Sequence, residues 1–533
     1  MGSGRGGVAH GAPGVSAVLN LGEIVAAHAR LRPARIGARD SRRSLTFMQW
    51  NARACRLANA LLALGLRKGD RVGVLAFNRV EWMEIYVGLA KSGLVAVPIN
   101  FRLVAPEIRY IAEHCKARAM IVQDELASVV ESLRGELAIV EGGWIRMGDA
   151  TPAGWTAYEA LIAGAPDREP KIAVAPADTW ALMYTSGTTG RPKGAVRNHQ
   201  GSALISLVTA VDMGLTGDDV ALLVMPMCHA NSLYFAFTFT YLGATCVIDD
   251  RKSFDPEALL ATMASQHVTF TSLVPTHYIM TLGLPDGVKK RYDVSRVRKL
   301  MISSAPARKE TKLAILDHFV NSELYELYGS TEAGWVTLLR PHEQIDHLGT
   351  VGREWTGSGP IRILDPQGNE VPDGEVGELF SCTPYTFDGY LNDPAKTAES
   401  LRDGYCSVGD MARRDAHGFI QLVDRKSNMI ISGGENVYPS EIEGVLGRYP
   451  GVKDVAVVGV PHEKWGESVH AVIVMHEGQL ATEADVLEWC RDKMAGYKRP
   501  RAVSFMGEAE IPRTATGKIL HRVLREKVGS TKR

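Results

Sequence analysis

Short, β-branched apolar runs alternate with helix-length segments along most of this chain, and that alternation limits its fold more than any other feature. RVGVLAF (71–77) reads as a buried strand, 80–91 as a helix and LVAVPI (94–99) as the next strand. Later, 256–266 reads as a helix and HVTFTSLV (267–274) as the strand that follows. Strand, helix, strand in succession implies right-handed crossovers and parallel sheets covered by helices on both faces. Ligands of such sheets sit at loops beyond the carboxyl ends of the strands.

A chain of 533 residues is too long for one ordinary domain. The pattern changes beyond about 424 to short strands (DVAVVGV, SVHAVIV) and small helices (EADVLEWCRDKM, and one opened by a capping box at SEIE, 440–443). The expected fold class is therefore α/β: a large N-terminal domain with parallel-rich sheets flanked by helices, plus a small α+β C-terminal domain. The N-terminal domain is expected to run over 1–424, with the glycine-rich stretch 1–16 as a disordered lead-in, and the C-terminal domain over 428–533.

Lys plus Arg and Asp plus Glu number 60 each, so the charge balance gives no reason to expect nucleic acid or an anionic membrane as partner. Seven scattered cysteines without a CxxC pair point to a reducing, cytoplasmic setting with no structural zinc. The segment 220–248 carries no formal charge and is long enough to span a bilayer, but Pro226, His229 and Asn231 divide it into strand-length and helix-length pieces. It is expected to surround an apolar pocket, not to cross a membrane. Composition leaves a homo-oligomer open.

WALMY (180–184) is a short strand candidate that runs directly into TSGTTGRPKG (185–194). Successive amides and hydroxyls in a glycine-rich loop can wrap a phosphate chain, and Lys193 adds a cation. The same composition also suits a Ser/Thr/Gly linker. The loop is not a Walker loop, because GxxxxGK followed by Ser or Thr occurs nowhere in the chain.

YTSGTTGRPKG resembles the signature loop of the AMP-forming acyl-CoA synthetases, a superfamily that also contains luciferases and peptide-synthetase adenylation domains. Five further stretches resemble family segments in the same order: MPMCHANSLYF (225–235), YELYGSTEAG (325–334), YCSVGD (405–410), DRKSNMIISGGENVYPSEIE (424–443) and PRTATGKIL (512–520). The resemblance implies two half-reactions on ATP, Mg²⁺ and CoA as co-substrates, with no tightly bound organic cofactor. ATP and AMP would be held by Thr185, Ser186, Gly187, Thr188, Thr189, Gly190 and Lys193, and by Tyr328, Gly329, Ser330, Thr331 and Glu332. Within that set Tyr328 would lie against adenine, Thr331 would contact the α-phosphate and Glu332 would bind Mg²⁺. Asp410 and Arg425 would hold the ribose hydroxyls, and Lys518 would be catalytic together with Thr185, Lys193 and Glu332.

The resemblance implies a hinge at 425–427, with Ser427 standing where many relatives have Asp or Lys. A small polar residue can absorb the backbone change of a mobile C-terminal domain. The acyl pocket would draw on His229, Ala230, Tyr234, Phe235, Ser303, Ser304 and Trp335, with Trp335 shortening any tunnel. The family's glycine a few residues after the histidine is absent, so His229 reads as pocket lining, not as a gate. CoA would meet Ser432, Gly433, Gly434 and Glu435 along its pantetheine arm, and Trp465, Tyr497, Lys498 and Arg499 at its nucleotide. Free CoA is the expected acceptor because only fifteen residues follow Lys518. The expected substrate is an aromatic or short-to-medium aliphatic carboxylic acid. A carrier protein as acceptor, luciferase-like oxygen chemistry and a noncatalytic adenylate binder stand as alternatives.

Overall fold

A computed structural model describes residues 20–149, 151–185, 192–305, 307–432, 435–491, 493–513 and 519–530. The expected lead-in at 1–16 lies outside the described residues. The chain folds into two compact units. The first comprises residues up to Leu348 with Glu354–Gly359 and Cys382–Cys406, and the second comprises Gly349–Arg353, Pro360–Ser381 and the chain from Ser407 onward. By contacts, the second unit therefore begins ahead of residue 424.

The alternation seen in the sequence becomes two sheets in the first unit. One runs in the order Gly389–Tyr390, Lys193–Asn198, Thr179–Thr185, Val95–Ile99, Arg71–Leu75, Ala117–Gln123, Trp144–Met147 and Thr156–Ala157. Its middle is parallel, and Thr179–Thr185 pairs antiparallel with Lys193–Asn198. The other places Phe270–Leu273 between Val220–Leu223 and Lys299–Ser303, with Glu323–Ser330 and Gly334–Leu339 beyond.

Helices fill the space around these sheets. Every residue of helix Glu81–Ser92 is buried, as expected of a crossover covered on all sides. Its acidic residues are therefore paired: Glu84 accepts from Arg43 at 2.6 Å, Arg53 at 2.7 Å and the Tyr158 hydroxyl at 3.0 Å. A buried carboxylate without such donors would cost several kcal/mol. The uncharged segment 220–248 divides into strand Val220–Leu223, helix Ala230–Leu242 and strand Thr245–Ile248. Among the described residues no helix is long and apolar enough to cross a membrane.

The second unit pairs Val452–His462 with Gly466–Met475 along a long antiparallel ladder. Helices Pro439–Leu446, Glu483–Trp489 and His521–Ser530 accompany it. Two expectations fail here. The SEIE capping box does not form: Ser440 sits inside helix Pro439–Leu446, where its hydroxyl donates to the Val423 carbonyl and its amide to Asp424 at 2.9 Å. The helix expected over 483–494 ends at Trp489, where the Lys493 ammonium donates to the freed carbonyl at 3.3 Å.

Candidate active site

The strand Thr179–Thr185 and its antiparallel neighbour Lys193–Asn198 put Thr185 directly opposite Lys193. The loop between them holds Ser186, Gly187, Thr188, Thr189 and Gly190, which lie outside the described residues. Facing this pair is the turn between Glu323–Ser330 and Gly334–Leu339, where Glu332 is buried. The turn is tight enough that a side chain at Gly329 would collide with the Gly334 carbonyl. The Ser330 hydroxyl closes it by accepting from the Ala333 amide at 2.9 Å. Tyr328 and Thr331 border the same turn and are half-buried.

Glu332 collects the donors of this corner. Its Oε1 accepts from the Thr185 hydroxyl at 3.4 Å and from the Tyr390 hydroxyl at 2.7 Å. The Lys193 ammonium lies 4.5 Å from the centre of the Tyr390 ring. Burial pulls the Lys193 ammonium down from its ordinary value, while the Glu332 carboxylate pulls it back up. Among the described residues no three metal-ligating side chains cluster. Glu332 is a single hard oxygen donor, so it suits a divalent cation that arrives with its own phosphate oxygens, as Mg²⁺ does with ATP.

Two residues of this corner escaped the sequence reading, Tyr390 and Arg197. Arg197 is 1% exposed. Its guanidinium donates to the carbonyls of Thr331 at 3.2 Å, Glu332 at 3.1 Å and Tyr385 at 2.6 Å, and lies 5.5 Å from the centre of the Tyr234 ring. A cation at the fifth position of a β-strand carries no signal by itself; only the fold brings those three carbonyls to it.

The expected acyl-pocket residues fall into one region of the first unit. His229 is the N-cap residue of helix Ala230–Leu242, which carries Tyr234 and Phe235. Asn231 on that helix donates to the Ser303 hydroxyl at 2.7 Å, and Ser304 follows with a left-handed φ of 68°. Trp335 donates through its indole to Thr209 at 2.9 Å, and its ring meets Tyr234 at 5.4 Å and Phe235 at 5.5 Å. These aromatics form a wall whose tryptophan is pinned by a hydrogen bond. Burial pushes the Cys228 thiol up to about 12, which keeps it protonated and a poor metal ligand beside His229.

In the second unit Asp410 and Arg425 occupy opposed positions on neighbouring strands, and their side chains form an ion pair at 3.1 Å. Ser427 lies exposed in the turn after that strand. Ser432 and Glu435 face each other across a hairpin whose Gly433 and Gly434 lie outside the described residues. Trp465 lies under two cations, Arg501 at 4.4 Å and Lys464 at 4.9 Å. Of the expected basic cluster, Lys498 is held by Glu441 at 2.5 Å, Arg499 by the Met494 carbonyl at 3.1 Å, and Tyr497 is exposed. Lys518 lies outside the described residues.

Residues 25–391 match the family described as AMP-binding enzyme, and 441–518 match the AMP-binding enzyme C-terminal domain. A feruloyl-CoA synthase from Amycolatopsis sp is 36% identical, covering 96% of this chain and 99% of that protein. A long-chain-fatty-acid–CoA ligase, FadD13 of Mycobacterium tuberculosis, is 34% identical, covering 91% of this chain and 94% of that protein. Among solved structures, the anthranilate CoA ligase AuaEII in complex with anthranoyl-AMP superposes with a TM-score of 0.87 at 28% identity, over 96% of this chain and 98% of that one. The strand pair joining Thr185 to Lys193, the Glu332 turn and the paired Asp410 and Arg425 thus stand in a chain that belongs to the AMP-binding enzyme family, among its acyl-CoA ligases.

Proposed function

We propose that the protein activates a compact carboxylic acid, aromatic or short-to-medium aliphatic, with Mg-ATP and then transfers the acyl group to CoA. The observation that carries this reading is the convergence of Thr185, Lys193 and Glu332 at one corner of the first unit. A hydroxyl, an ammonium and a single carboxylate make a fitting receptor for a magnesium triphosphate.

In the first half-reaction a substrate carboxylate oxygen bonds to the α-phosphorus of ATP while the bond to the β-phosphate oxygen breaks, and pyrophosphate leaves. Negative charge grows on the nonbridging oxygens and on the leaving group, where Lys193 and Lys518 would neutralise it. Bound Mg²⁺ supplies charge neutralisation across the phosphates, and Glu332 would hold its protein side. Asp410 and Arg425 would fix the ribose. In the second half-reaction the CoA thiolate attacks the acyl carbon and AMP departs. AMP is a good leaving group, so no protein nucleophile is required. A rotation about Ser427 would exchange the loop carrying Lys518 for the pantetheine-facing residues Ser432 to Glu435, with Trp465 and its two cations toward the CoA nucleotide.

The aromatic wall of Trp335, Tyr234 and Phe235 supports a compact acyl group. Of the proteins named above, two carry aromatic acids in their names and one a long-chain fatty acid, so the substrate class has to be measured. Pyrophosphate release from Mg-ATP is to be followed across benzoates, phenylpropanoids and C4 to C16 acids, each with and without CoA. Release with compact acids, matched by AMP and a CoA thioester, is the expected result. Release without any thioester would instead favour a carrier protein or oxygen as the second reactant.

A further inference from the structure

The stretch 387–391, far along the chain from the phosphate loop, grips both sides of the candidate nucleotide site. Phe387 donates its amide to the Glu332 carbonyl at 2.8 Å, Asp388 to the Val196 carbonyl at 3.0 Å and Leu391 to the Gly194 carbonyl at 2.8 Å. Between them the short strand Gly389–Tyr390 extends the sheet, with Tyr390 opposite Ala195. Backbone hydrogen bonds thus tie the Glu332 turn to the strand that begins at Lys193.

The Tyr390 side chain completes that tie. It is 7% exposed, its backbone amide donates to Thr397 Oγ1 at 2.9 Å, and the Phe387 ring meets it edge-on at 4.9 Å. Its hydroxyl donates to Glu332 Oε1 at 2.7 Å, and its ring face carries the Lys193 ammonium at 4.5 Å. A phenol donating to a carboxylate makes a charge-assisted bond, and a desolvated ammonium over an aromatic face gains cation–π attraction. Among the described residues the donors to the carboxylate, Thr185 and Tyr390, both fall on Oε1, so rotation of the group about its last bond is fixed, and the position of Oε2 with it. Among the described residues no direct ion pair joins Lys193 to Glu332. Removing the ring between them would let the two collapse together and cancel the charges a triphosphate and its cation need.

We infer that Tyr390 is a positioning residue for Mg-ATP: its hydroxyl aims the Glu332 carboxylate and its ring holds the Lys193 ammonium apart from that carboxylate. The inference rests on the ATP reading of this site. It requires no contact between Tyr390 and the nucleotide.

Two variants separate the two halves of this role. Tyr390→Phe removes the hydroxyl and keeps the ring, whereas Tyr390→Leu removes both. Calorimetric affinity for Mg-ATP is expected to fall about tenfold in Tyr390→Phe and further in Tyr390→Leu. Pyrophosphate release should slow in the same order, while thioester formation from a synthetic acyl adenylate stays within about twofold of wild type. Wild-type Mg-ATP affinity in Tyr390→Phe would overturn the inference. So would an equal loss of both half-reactions accompanied by a lowered melting temperature, the signature of a purely structural tyrosine. A wild-type protein that binds no Mg-ATP would sink the ATP reading first, and this inference with it.

Discussion

Arg197 donates to the main-chain carbonyl of Glu332 at 3.1 Å, so the carboxylate of the candidate site is held by its backbone from a guanidinium that is 1% exposed. The same guanidinium ties Thr331 and Tyr385, so its removal takes a donor from three carbonyls at once, of which that of Glu332 keeps the Phe387 amide. Arg197→Met should cost about 3 kcal/mol of stability and lower the rate of adenylation more than the rate of thioester formation from a preformed adenylate. Denaturant melts and the two half-reaction assays check this. An unchanged melt would show that the carbonyls find other partners.

His199 opens helix His199–Met213 and is nearly fully buried. Burial, opposed by the nearby Asp178 carboxylate, holds its imidazole down at about 4. The unfolded chain binds a proton near pH 6.5 that the folded chain refuses until about pH 4, so stability rises with pH across that window. The contribution is full above about 6.5 and is lost as pH falls toward 4, amounting to about 3 kcal/mol. Chemical denaturation at pH 7, 5.5 and 4.5 should show the loss, and His199→Asn should flatten it. Glu81 acts in a lower window: burial raises its carboxyl, but Arg79 at 2.6 Å outweighs burial and brings it to about 2. Its contribution is present above about 4.5 and lost as pH falls toward 2.

Much of the fold could be read from the sequence because buried parallel strands are written as continuous β-branched runs, and 71–77 and 94–99 sit where that pattern puts them. Thr185, Lys193 and Glu332 were likewise legible through local motifs. Tyr390 and Arg197 were not, since each acts on groups distant in sequence: Tyr390 reaches Glu332 and Lys193, and Arg197 reaches carbonyls at 331, 332 and 385. The failed capping box at 440–443 has the same cause. Ser440 satisfies the Val423 carbonyl, a tertiary partner that no local pattern announces.

Trp335 gives a prediction about substrate size. Its ring packs against Tyr234 and Phe235, and its indole is fixed by Thr209. Trp335→Leu should open volume at the aromatic wall and move kcat/KM toward longer acids by about tenfold or more relative to compact ones, since a methylene in an apolar pocket is worth about 1–3 kcal/mol. The cavity should also lower stability by about 2–4 kcal/mol. Competition between a C4 and a C12 acid reads the selectivity directly. An unchanged ratio would place the acyl terminus elsewhere.

Lys518 is where the two-conformation account is most exposed to test. Its assignment rests on the resemblance of PRTATGKIL to the family segment. An ammonium between the attacking carboxylate and the departing pyrophosphate stabilises charge that exists only in the first transition state. The second half-reaction, thiolate attack on a preformed adenylate, develops no such charge and would use the other orientation of the small domain. Lys518→Ala should therefore slow pyrophosphate release by a factor of about 100 or more, while a synthetic acyl adenylate is converted to thioester at close to the wild-type rate. Equal loss of both steps would mean that one arrangement of the chain serves both reactions, and the proposed rotation about Ser427 would have no work to do.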